Sequence, residues 1–158
     1  MKNLLCRLWG VALQPRAVPW VVLGSGFWLG FLSWVRHLHL PDEGRYVGVA
    51  FDMARADSFW VPLMNGLPYF HKPPLFYWLN EISFMLFGVH EWSARLPSWL
   101  AAWISALALY FFIRKHRGIA QATLTLVILV TMPYFYGGAQ YANLDMLVAG
   151  MITLTVLA

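Results

Sequence analysis

Hydrophobic residues in this chain are gathered into four long runs separated by polar stretches. Three runs of 18 or 19 residues occupy positions 17–35, 96–113 and 119–136. A helix of about 20 apolar residues crosses the ~30 Å hydrocarbon core of a bilayer. The fourth run opens at Leu144 and has 13 residues after Asp145. The pattern predicts an all-α membrane protein with about four transmembrane helices, the last incomplete, so we expect the N-terminal part of a longer protein.

The first run has two possible interpretations. A cleaved signal peptide has an apolar core of about 7–15 residues and a small-residue cleavage site. This run is longer and leads into Ser33-Trp34-Val35-Arg36-His37, which offers no such site. The sequence therefore favours an uncleaved first transmembrane helix.

Basic residues set the expected orientation. Lys2, Arg7 and Arg16 precede the first run, and the densest basic cluster, residues 114–117, follows the second. Because Lys and Arg are enriched in cytoplasmic loops, both positions are expected in the cytoplasm, with the first helix running outward and the second returning. A single membrane domain is then divided into a cytoplasmic tail with the first helix (1–36), an outer loop (37–95) and the remaining helices (96–158).

The outer loop is predicted to contain a short helix from Asp42 to about Ala56. Acidic side chains in a first turn are favoured by the helix dipole and the exposed N–H groups. An apolar stripe with helical spacing consists of Tyr46, Val49, Ala50 and Met53. This stripe is expected to lie on the membrane or against neighbouring helices.

A second short helix is predicted over residues 75–87. Pro73-Pro74 disfavour a helix up to that point, and Asn80 and Glu81 make the segment too polar to span. We expect it to lie along the membrane surface. The turn-rich, aromatic residues 59–68 connect the two helices.

Composition agrees with a lipid environment and excludes several classes of protein. The chain is 60% hydrophobic and 11% charged, whereas about a quarter of the residues of a soluble domain are charged. Cys6 is the single cysteine, which excludes an internal disulfide. The net charge of +4 comes from basic residues scattered at the ends of apolar runs, so no nucleic-acid partner is expected. Six of the seven acidic residues lie between Asp42 and Glu91, and this polar island is the expected place for chemistry.

The Asp42-Glu43 pair opens the first loop helix. In a structural interpretation these carboxylates cap a helix in a solvated loop. Capping needs only one carboxylate, however, and Arg45 and Tyr46 place a cation and a phenol within one turn. A partly desolvated carboxylate near an interface can take a proton from an acceptor hydroxyl. Both residues are therefore candidate catalytic groups.

Lys72 and Asp145 are expected on the same outer side. Lys72 lies in a proline-bounded aromatic segment, where it either snorkels to the lipid headgroups or stabilises a phosphate leaving group. Asp145 opens an apolar run, where an ionisable residue is costly and by default indicates function. The alternative is that Asp145 only caps the fourth helix, with help from Asn143.

The five histidines, at positions 37, 39, 71, 90 and 116, offer a possible metal site. The best trio is His37, His39 and His71, but its spacing is loose and no cysteine supports it. We therefore expect interfacial histidines and no certain cofactor, with His71 as a weak candidate ligand for a divalent metal. Neither a hydrolase triad nor a phosphate-cradling glycine loop has a candidate here.

Four segments in order give the chain a specific likeness to a known family. They are PDEGRY (41–46), YFHKPP (69–74), GVHEWSARLPS (88–98) and ANLDM (142–146). They resemble the motifs of polyprenyl-phosphate-dependent glycosyltransferases with the GT-C fold, above all the bacterial 4-amino-4-deoxy-L-arabinose transferases that modify lipid A and the related protein O-mannosyltransferases. The likeness covers nearly the whole chain after the first helix. It implies a catalytic first outer loop with two surface-lying helices.

The resemblance also implies roles for individual residues. Asp42 would be the catalytic carboxylate of an inverting transfer with Glu43 beside it, and Asp145 would be a second acidic residue of the outer cavity. A lipid-phosphate site would consist of Arg45, Tyr46, Tyr69 and Lys72. The implied reaction is direct displacement of polyprenyl phosphate from the donor sugar by a lipid or protein acceptor. His71 stands where arabinose transferases can have a carboxylate, so the sugar and any metal are left open.

Two other hypotheses come from different classes. A transporter or assembly subunit would use Asp145 and Lys72 along an ion or substrate path, with charges at mid-bilayer in broken helices. An inactive fragment would fold but lack essential downstream groups. Since the candidate residues concentrate in the outer loop, the sequence favours an enzyme acting at the membrane surface.

Overall fold

The computed structural model of the protein describes residues 14–56 and 58–158. Its regular secondary structure is helical apart from one small hairpin, so the all-α prediction is confirmed. The helices are α1 (Val18–Gly30), α2 (Asp42–Arg55), α3 (Leu75–Phe87), α4 (Glu91–Arg117), α5 (Ile119–Thr131), α6 (Pro133–Ala139) and α7 (Leu144–Leu157). A 3-10 turn, Pro15–Ala17, precedes α1, and strands β1 (Leu63–Met64) and β2 (Leu67–Pro68) form the hairpin. The N-terminal Lys2, Cys6 and Arg7 lie outside the described residues.

Helix α4 is the central element, because α1, α3, α5, α6 and α7 all pack against it. With 27 residues it is long and apolar enough to cross a membrane, and α5 with α6 passes the same test if the bent pair counts as one span. Helices α1 and α7 have 13 and 14 residues and fall short of that length. By length and composition the described helices thus provide one or two spans, and the number of four stays a prediction.

The first apolar run ends as a helix earlier than expected. Its hydrophobicity predicts a helix to Val35, but α1 stops at Gly30 and Leu32 adopts a positive φ of 71°. The following turn frees backbone carbonyls that are hydrogen-bonded by a buried arginine of α4, described below. Tertiary contacts therefore override the apolar pattern at this end.

The third apolar run is broken rather than continuous. A single helix over residues 119–136 was predicted, whereas α5 and α6 meet at Pro133 with a bend of 71°. A proline cannot donate a backbone hydrogen bond and drives the preceding residue out of the helical region, and Met132 indeed has an extended ψ of 126°. Residues 137–139, expected to begin an outer turn, belong to α6.

Helix α4 begins at Glu91, five residues before the predicted start at Leu96, and it continues through Pro97. Because Pro97 has no N–H, the carbonyl of Ser93 loses its partner in the helix. The hydroxyl of Ser83, on α3, donates to that carbonyl at 2.7 Å. This hydrogen bond joins the loop helix α3 to the central helix α4.

The two loop helices match their predictions closely. Helix α2 covers Asp42–Arg55, and α3 covers the predicted residues 75–87. The stripe Tyr46, Val49, Ala50 and Met53 is buried. It packs against Phe76, Tyr77 and Phe84 of α3 in one core cluster, so the stripe faces neighbouring helices. That α3 lies along the membrane surface stays a prediction.

Candidate active site

The hairpin between α2 and α3 positions the segment that begins at Tyr69. Its turn residues Asn65 and Gly66 have positive φ angles of 54° and 78°, as the tight turn of a two-residue hairpin requires. The N–H of Asn65 donates to Asp52 of α2 at 2.6 Å, and the N–H of Tyr69 donates to the carbonyl of Pro62 at 2.7 Å. The hairpin is thus held on α2, and Tyr69 leaves it at a fixed place.

Three tyrosines from different segments meet beside α2. The ring of Tyr77 lies 6.2 Å from that of Tyr46 and 6.5 Å from that of Tyr69, between centroids. His71 stacks on Tyr69 at 4.8 Å. The structure therefore brings together Tyr46 and Tyr69, both predicted from sequence, with Tyr77, which was not.

Charged groups surround this tyrosine cluster. Asp42 and Arg45 form an ion pair at 2.8 Å, and the Arg45 guanidinium lies 5.8 Å from the centroid of the Tyr46 ring. Burial raises the pKa of Tyr46, and the charge of Asp145 raises it further, followed by that of Asp42. Asp145, in the first turn of α7, is therefore near enough to Tyr46 to affect its pKa, as Asp42 is.

Asn143 contacts Asp145 rather than capping α7. Its side-chain amide donates to an Asp145 carboxylate oxygen at 3.1 Å, and it makes no side-chain capping bond. Asp145 itself is exposed. Together with Tyr141 it lines a cavity of about 460 Å³ beside α6. The carboxylate is thus oriented by a neighbouring amide and open to a ligand.

Lys72 is exposed and lies between the stacked His71 and the start of α3. Within residues 14–56 and 58–158, no carboxylate forms an ion pair with Lys72. Its ammonium is therefore open to an anionic ligand.

The histidine trio considered for a metal is not assembled. His37 pairs with Glu91 at 3.3 Å and is almost fully exposed, while His71 stacks on Tyr69. In the described part of the chain, no three side chains of His, Cys, Asp or Glu lie close enough to hold a metal ion.

Glu43, in contrast to Asp42, is completely buried. One carboxylate oxygen accepts from Arg95 Nε and from the N–H of Ala142, each at 2.9 Å. The other accepts from the N–H of His39 at 2.8 Å, from Arg36 at 3.0 Å and from Arg95 Nη2 at 3.2 Å. The oxygens of Glu43 are therefore committed to protein donors.

Arg95 is the partner that makes this burial possible, being only 1% exposed. Besides its two bonds to Glu43, it donates from Nη1 to the carbonyls of Ser33 and Arg36, at 2.5 and 2.7 Å, and from Nη2 to that of His37 at 3.0 Å. All five guanidinium N–H groups are thus used. The Glu43–Arg95 pair joins α2, α4, the end of α1 and the loop before α7.

These contacts shift the titration of Glu43. Burial by itself raises the pKa of the carboxyl, but the hydrogen bonds from Arg95, Ala142 and His39 and the charge of Arg95 outweigh it and lower the pKa below its ordinary value of 4.5. A lowered folded-state pKa stabilises the protein above the unfolded-state pKa, and this stability is lost as the pH falls through the folded value.

We therefore expect a Glu43→Gln variant to be less stable than the wild type at neutral pH. The difference in unfolding free energy should shrink as the pH falls below about 4.5. Denaturant unfolding of both proteins in detergent between pH 3 and pH 7, roughly the range in which carboxylates titrate, measures it. A difference that stays constant with pH would contradict the ion pair.

Comparison with known proteins assigns the chain to a family. The model of the dolichyl-phosphate-mannose-protein mannosyltransferase family matches residues 71–158, more than half of the chain. This chain belongs to that family.

Curated relatives of the chain include proteins named undecaprenyl phosphate-alpha-4-amino-4-deoxy-L-arabinose arabinosyl transferase. The protein from Enterobacter sp. (strain 638) is 36% identical over 141 residues, covering 87% of this chain and 25% of the relative. The protein from Sodalis glossinidius (strain morsitans) is 31% identical over 138 residues, covering 80% of this chain and 25% of the relative. The chain thus spans about a quarter of the length of these relatives.

A solved structure agrees in fold. The crystal structure of ArnT from Cupriavidus metallidurans bound to undecaprenyl phosphate matches with a TM-score of 0.82 at 28% identity, covering 91% of this chain and 27% of ArnT. The resemblance expected from the four motifs is therefore confirmed, and the chain is an all-α membrane protein with part of a GT-C fold.

Two residues of the site, Arg95 and Tyr77, were not predicted from the sequence. Arg95 was placed at the end of the outer loop and within the third motif but was given no role, although a cation next to an apolar run is costly unless it is paired. Tyr77 had no distinguishing signal, because an aromatic residue at helical spacing is usually part of a core. Only the fold brings each of them to its partners.

Proposed function

We propose that the protein is a membrane glycosyltransferase that moves a sugar from a polyprenyl-phosphate donor to a lipid or protein acceptor at the outer face of a bacterial inner membrane. The observation that carries this proposal is the grouping around Tyr46. Asp42 and Arg45 form an ion pair beside its ring. Tyr69, and Asp145 from a distant part of the chain, lie near enough to affect the pKa of Tyr46. Carboxylates, a cation and phenols together can bind a phosphate and move a proton.

The distribution of charge supports an enzyme working at the membrane surface. Charged side chains of α4 lie in its first turns, at Glu91 and Arg95, and in its last turn, from Arg114. Asp145 is in the first turn of α7, and α1 and α5 carry no charged residue. A substrate path through the bilayer would place charges at mid-helix instead.

The proposed reaction is a single displacement with inversion. An acceptor hydroxyl attacks the anomeric carbon of the sugar, forming a new carbon–oxygen bond. The bond between that carbon and the phosphate oxygen breaks, and its electron pair leaves with polyprenyl phosphate. Asp42 takes the acceptor proton, with Asp145 as the second carboxylate at the sugar. We propose that Glu43 does not react but positions Asp42, since its oxygens are occupied by protein donors.

The departing phosphate needs cations, and Lys72 and Arg45 supply them in this proposal. Lys72 has no carboxylate partner in the described part of the chain, and Arg45 is only half-buried. Tyr46, which lies beside Arg45, and Tyr69, which belongs to the same tyrosine cluster, add phenolic donors. A related protein, ArnT, has been crystallised with undecaprenyl phosphate, which supports a lipid phosphate as the ligand. The polyprenyl tail can then remain in the hydrocarbon while its headgroup reacts.

Lys72→Ala should weaken binding of undecaprenyl phosphate by roughly tenfold or more, because the ligand loses a charge-assisted hydrogen bond. Binding to the purified protein in nanodiscs is measured by isothermal calorimetry or by a fluorescent competitor. Lys115→Ala is the matched control, since Lys115 belongs to the basic cluster at the other end of α4. Equal affinity of Lys72→Ala and the wild type would assign Lys72 to membrane anchoring instead.

Turnover tests the proposed function itself. The protein in native membranes is incubated with undecaprenyl phosphate linked to 4-amino-4-deoxy-L-arabinose and with lipid A, and released undecaprenyl phosphate is measured by mass spectrometry. We expect time-dependent release together with modified lipid A. Release with a different donor sugar would keep the reaction type and change the sugar. Absence of release with every polyprenyl-phosphate sugar tried would overturn the proposal.

A further inference from the structure

Tyr77 carries an unexplained polar group inside the site. Its side chain is 1% exposed, yet its hydroxyl has no hydrogen-bond partner within residues 14–56 and 58–158. Leaving a buried hydroxyl without a partner is unfavourable by about 1–3 kcal/mol. A phenylalanine would fill the same space without that cost. The hydroxyl therefore needs an explanation outside the packing of the core.

The surroundings of this hydroxyl differ from those of an ordinary core tyrosine. The Tyr77 ring lies against both Tyr46 and Tyr69. Burial raises the pKa of Tyr77 to about 12, with further increases from Tyr69 and Tyr46, while the Arg45 cation opposes them. Tyr77 is thus close enough to the two other phenols and to the Arg45 guanidinium for them to affect its pKa. It remains protonated at physiological pH and can act as a donor.

From this geometry, and resting on the function proposed above, we infer that Tyr77 is a third phenolic ligand of the lipid phosphate. Its hydroxyl donates a hydrogen bond to a phosphate oxygen of the polyprenyl-phosphate donor, next to Tyr46, Tyr69 and Arg45. The hydroxyl is enclosed in this structure, so the inference includes a small movement of the surrounding rings that lets the phosphate reach it. The bound phosphate then supplies the acceptor that the hydroxyl lacks within the described protein. No proton is transferred in this contact, so Tyr77 contributes to binding.

Anion chemistry fits this position better than apolar packing does. A neutral phenol buried beside a guanidinium offers a donor without the charge of a second cation, and hydrogen bonds to charged acceptors are about twice as strong as neutral ones. The terminal oxygens of a phosphate carry several lone pairs, so the phosphate can accept a further donor besides Lys72 and Arg45. The Phe76 ring packs on the Tyr46 ring at 5.7 Å between centroids, so the surroundings of the tyrosine cluster are partly apolar.

Tyr77→Phe removes only this hydroxyl, and Tyr110→Phe provides a matched control. Tyr110 is also fully buried, and its hydroxyl also lacks a partner in the described part of the chain. It lies far along α4 in the second core cluster, with α5 residues such as Leu126. The two variants therefore make the same chemical change inside and outside the site.

The test measures affinity of the purified wild type and both variants in nanodiscs for undecaprenyl phosphate and for undecaprenol, which lacks the phosphate. We expect Tyr77→Phe to bind undecaprenyl phosphate roughly tenfold more weakly than the wild type, and Tyr110→Phe to stay within about twofold. The melting temperature of Tyr77→Phe without ligand should be equal to or higher than that of the wild type. A purely structural role of the hydroxyl would instead lower the melting temperature.

Two results separate this inference from the proposed function. If the wild type binds undecaprenyl phosphate and Tyr77→Phe binds it with the same affinity, the role of Tyr77 is overturned and the proposed function stands. If Tyr77→Phe weakens the binding of undecaprenol as much as that of undecaprenyl phosphate, the role of Tyr77 is also overturned, because the contact would then not involve the phosphate. Absence of wild-type binding to undecaprenyl phosphate would overturn the proposed function, and the inference with it.

Discussion

The Arg95→Ala variant should lose about 3–5 kcal/mol of unfolding free energy, because it leaves the carboxylate of Glu43 buried without its main partner. Arg95 and Glu43 are 1% and 0% exposed, and water cannot easily replace the lost donors. The three backbone carbonyls that Arg95 binds after α1 lose their donor at the same time. Chemical unfolding in mild detergent, followed by tryptophan fluorescence, measures the change.

Arg36→Ala is the control for this prediction. Arg36 also donates to Glu43, at 3.0 Å, but its side chain is 43% exposed. Exposed ion pairs contribute at most about 1 kcal/mol, so this variant should remain close to the wild type. The structural role of the buried pair would be contradicted if Arg95→Ala had the same unfolding free energy as the wild type. It would also be contradicted if both variants lost the same amount of unfolding free energy.

Asp42→Asn should reduce the rate of sugar transfer by about 10²–10⁴-fold, the usual contribution of a positioned general base. The amide cannot accept the proton of the acceptor hydroxyl, although it retains the shape of the carboxylate. Because Asp42 is exposed, with its side chain 54% accessible, the fold should be unaffected. The effect is expected mainly in kcat, with little change in the KM for the polyprenyl-phosphate donor.

Glu91→Gln is the matched control for Asp42→Asn. Glu91 is also a partly exposed carboxylate in an ion pair, here with His37, and it lies in the first turn of α4. We expect its transfer rate to stay within about twofold of the wild type. Comparable losses in both variants would show that negative charge in this part of the protein, rather than a base at Asp42, supports turnover.

Local rules were sufficient to predict the two helices of the outer loop. Acidic residues and Pro41 mark the start of α2, and Pro73-Pro74 mark the start of α3, so both helices agree with their predicted positions. The burial of Tyr46 and Met53 follows from helical periodicity alone. Asn65-Gly66 form the turn of the hairpin that their φ preferences favour. These features depend on neighbours in sequence.

Contacts between distant segments were not predictable in the same way. Glu43 meets Arg95 across 52 positions and Ala142 across 99, and no periodicity within either segment encodes such pairs. The sequence therefore placed Glu43 beside Asp42 as an equal candidate, whereas their burial is opposite. The bend at Pro133 could have been predicted from the proline itself. Counting apolar residues alone, however, treats residues 119–136 as one helix, whereas the structure breaks it.

The position of the phosphate in a complex with undecaprenyl phosphate tests the central claim most directly. A cryo-electron microscopy structure of the protein with this ligand in nanodiscs would reveal it, aided by an antibody fragment. Our account predicts phosphate density between Lys72 and Arg45, within hydrogen-bond distance of the tyrosine hydroxyls. Density at the other end of α4, on the basic residues from Arg114 to Arg117, would contradict it.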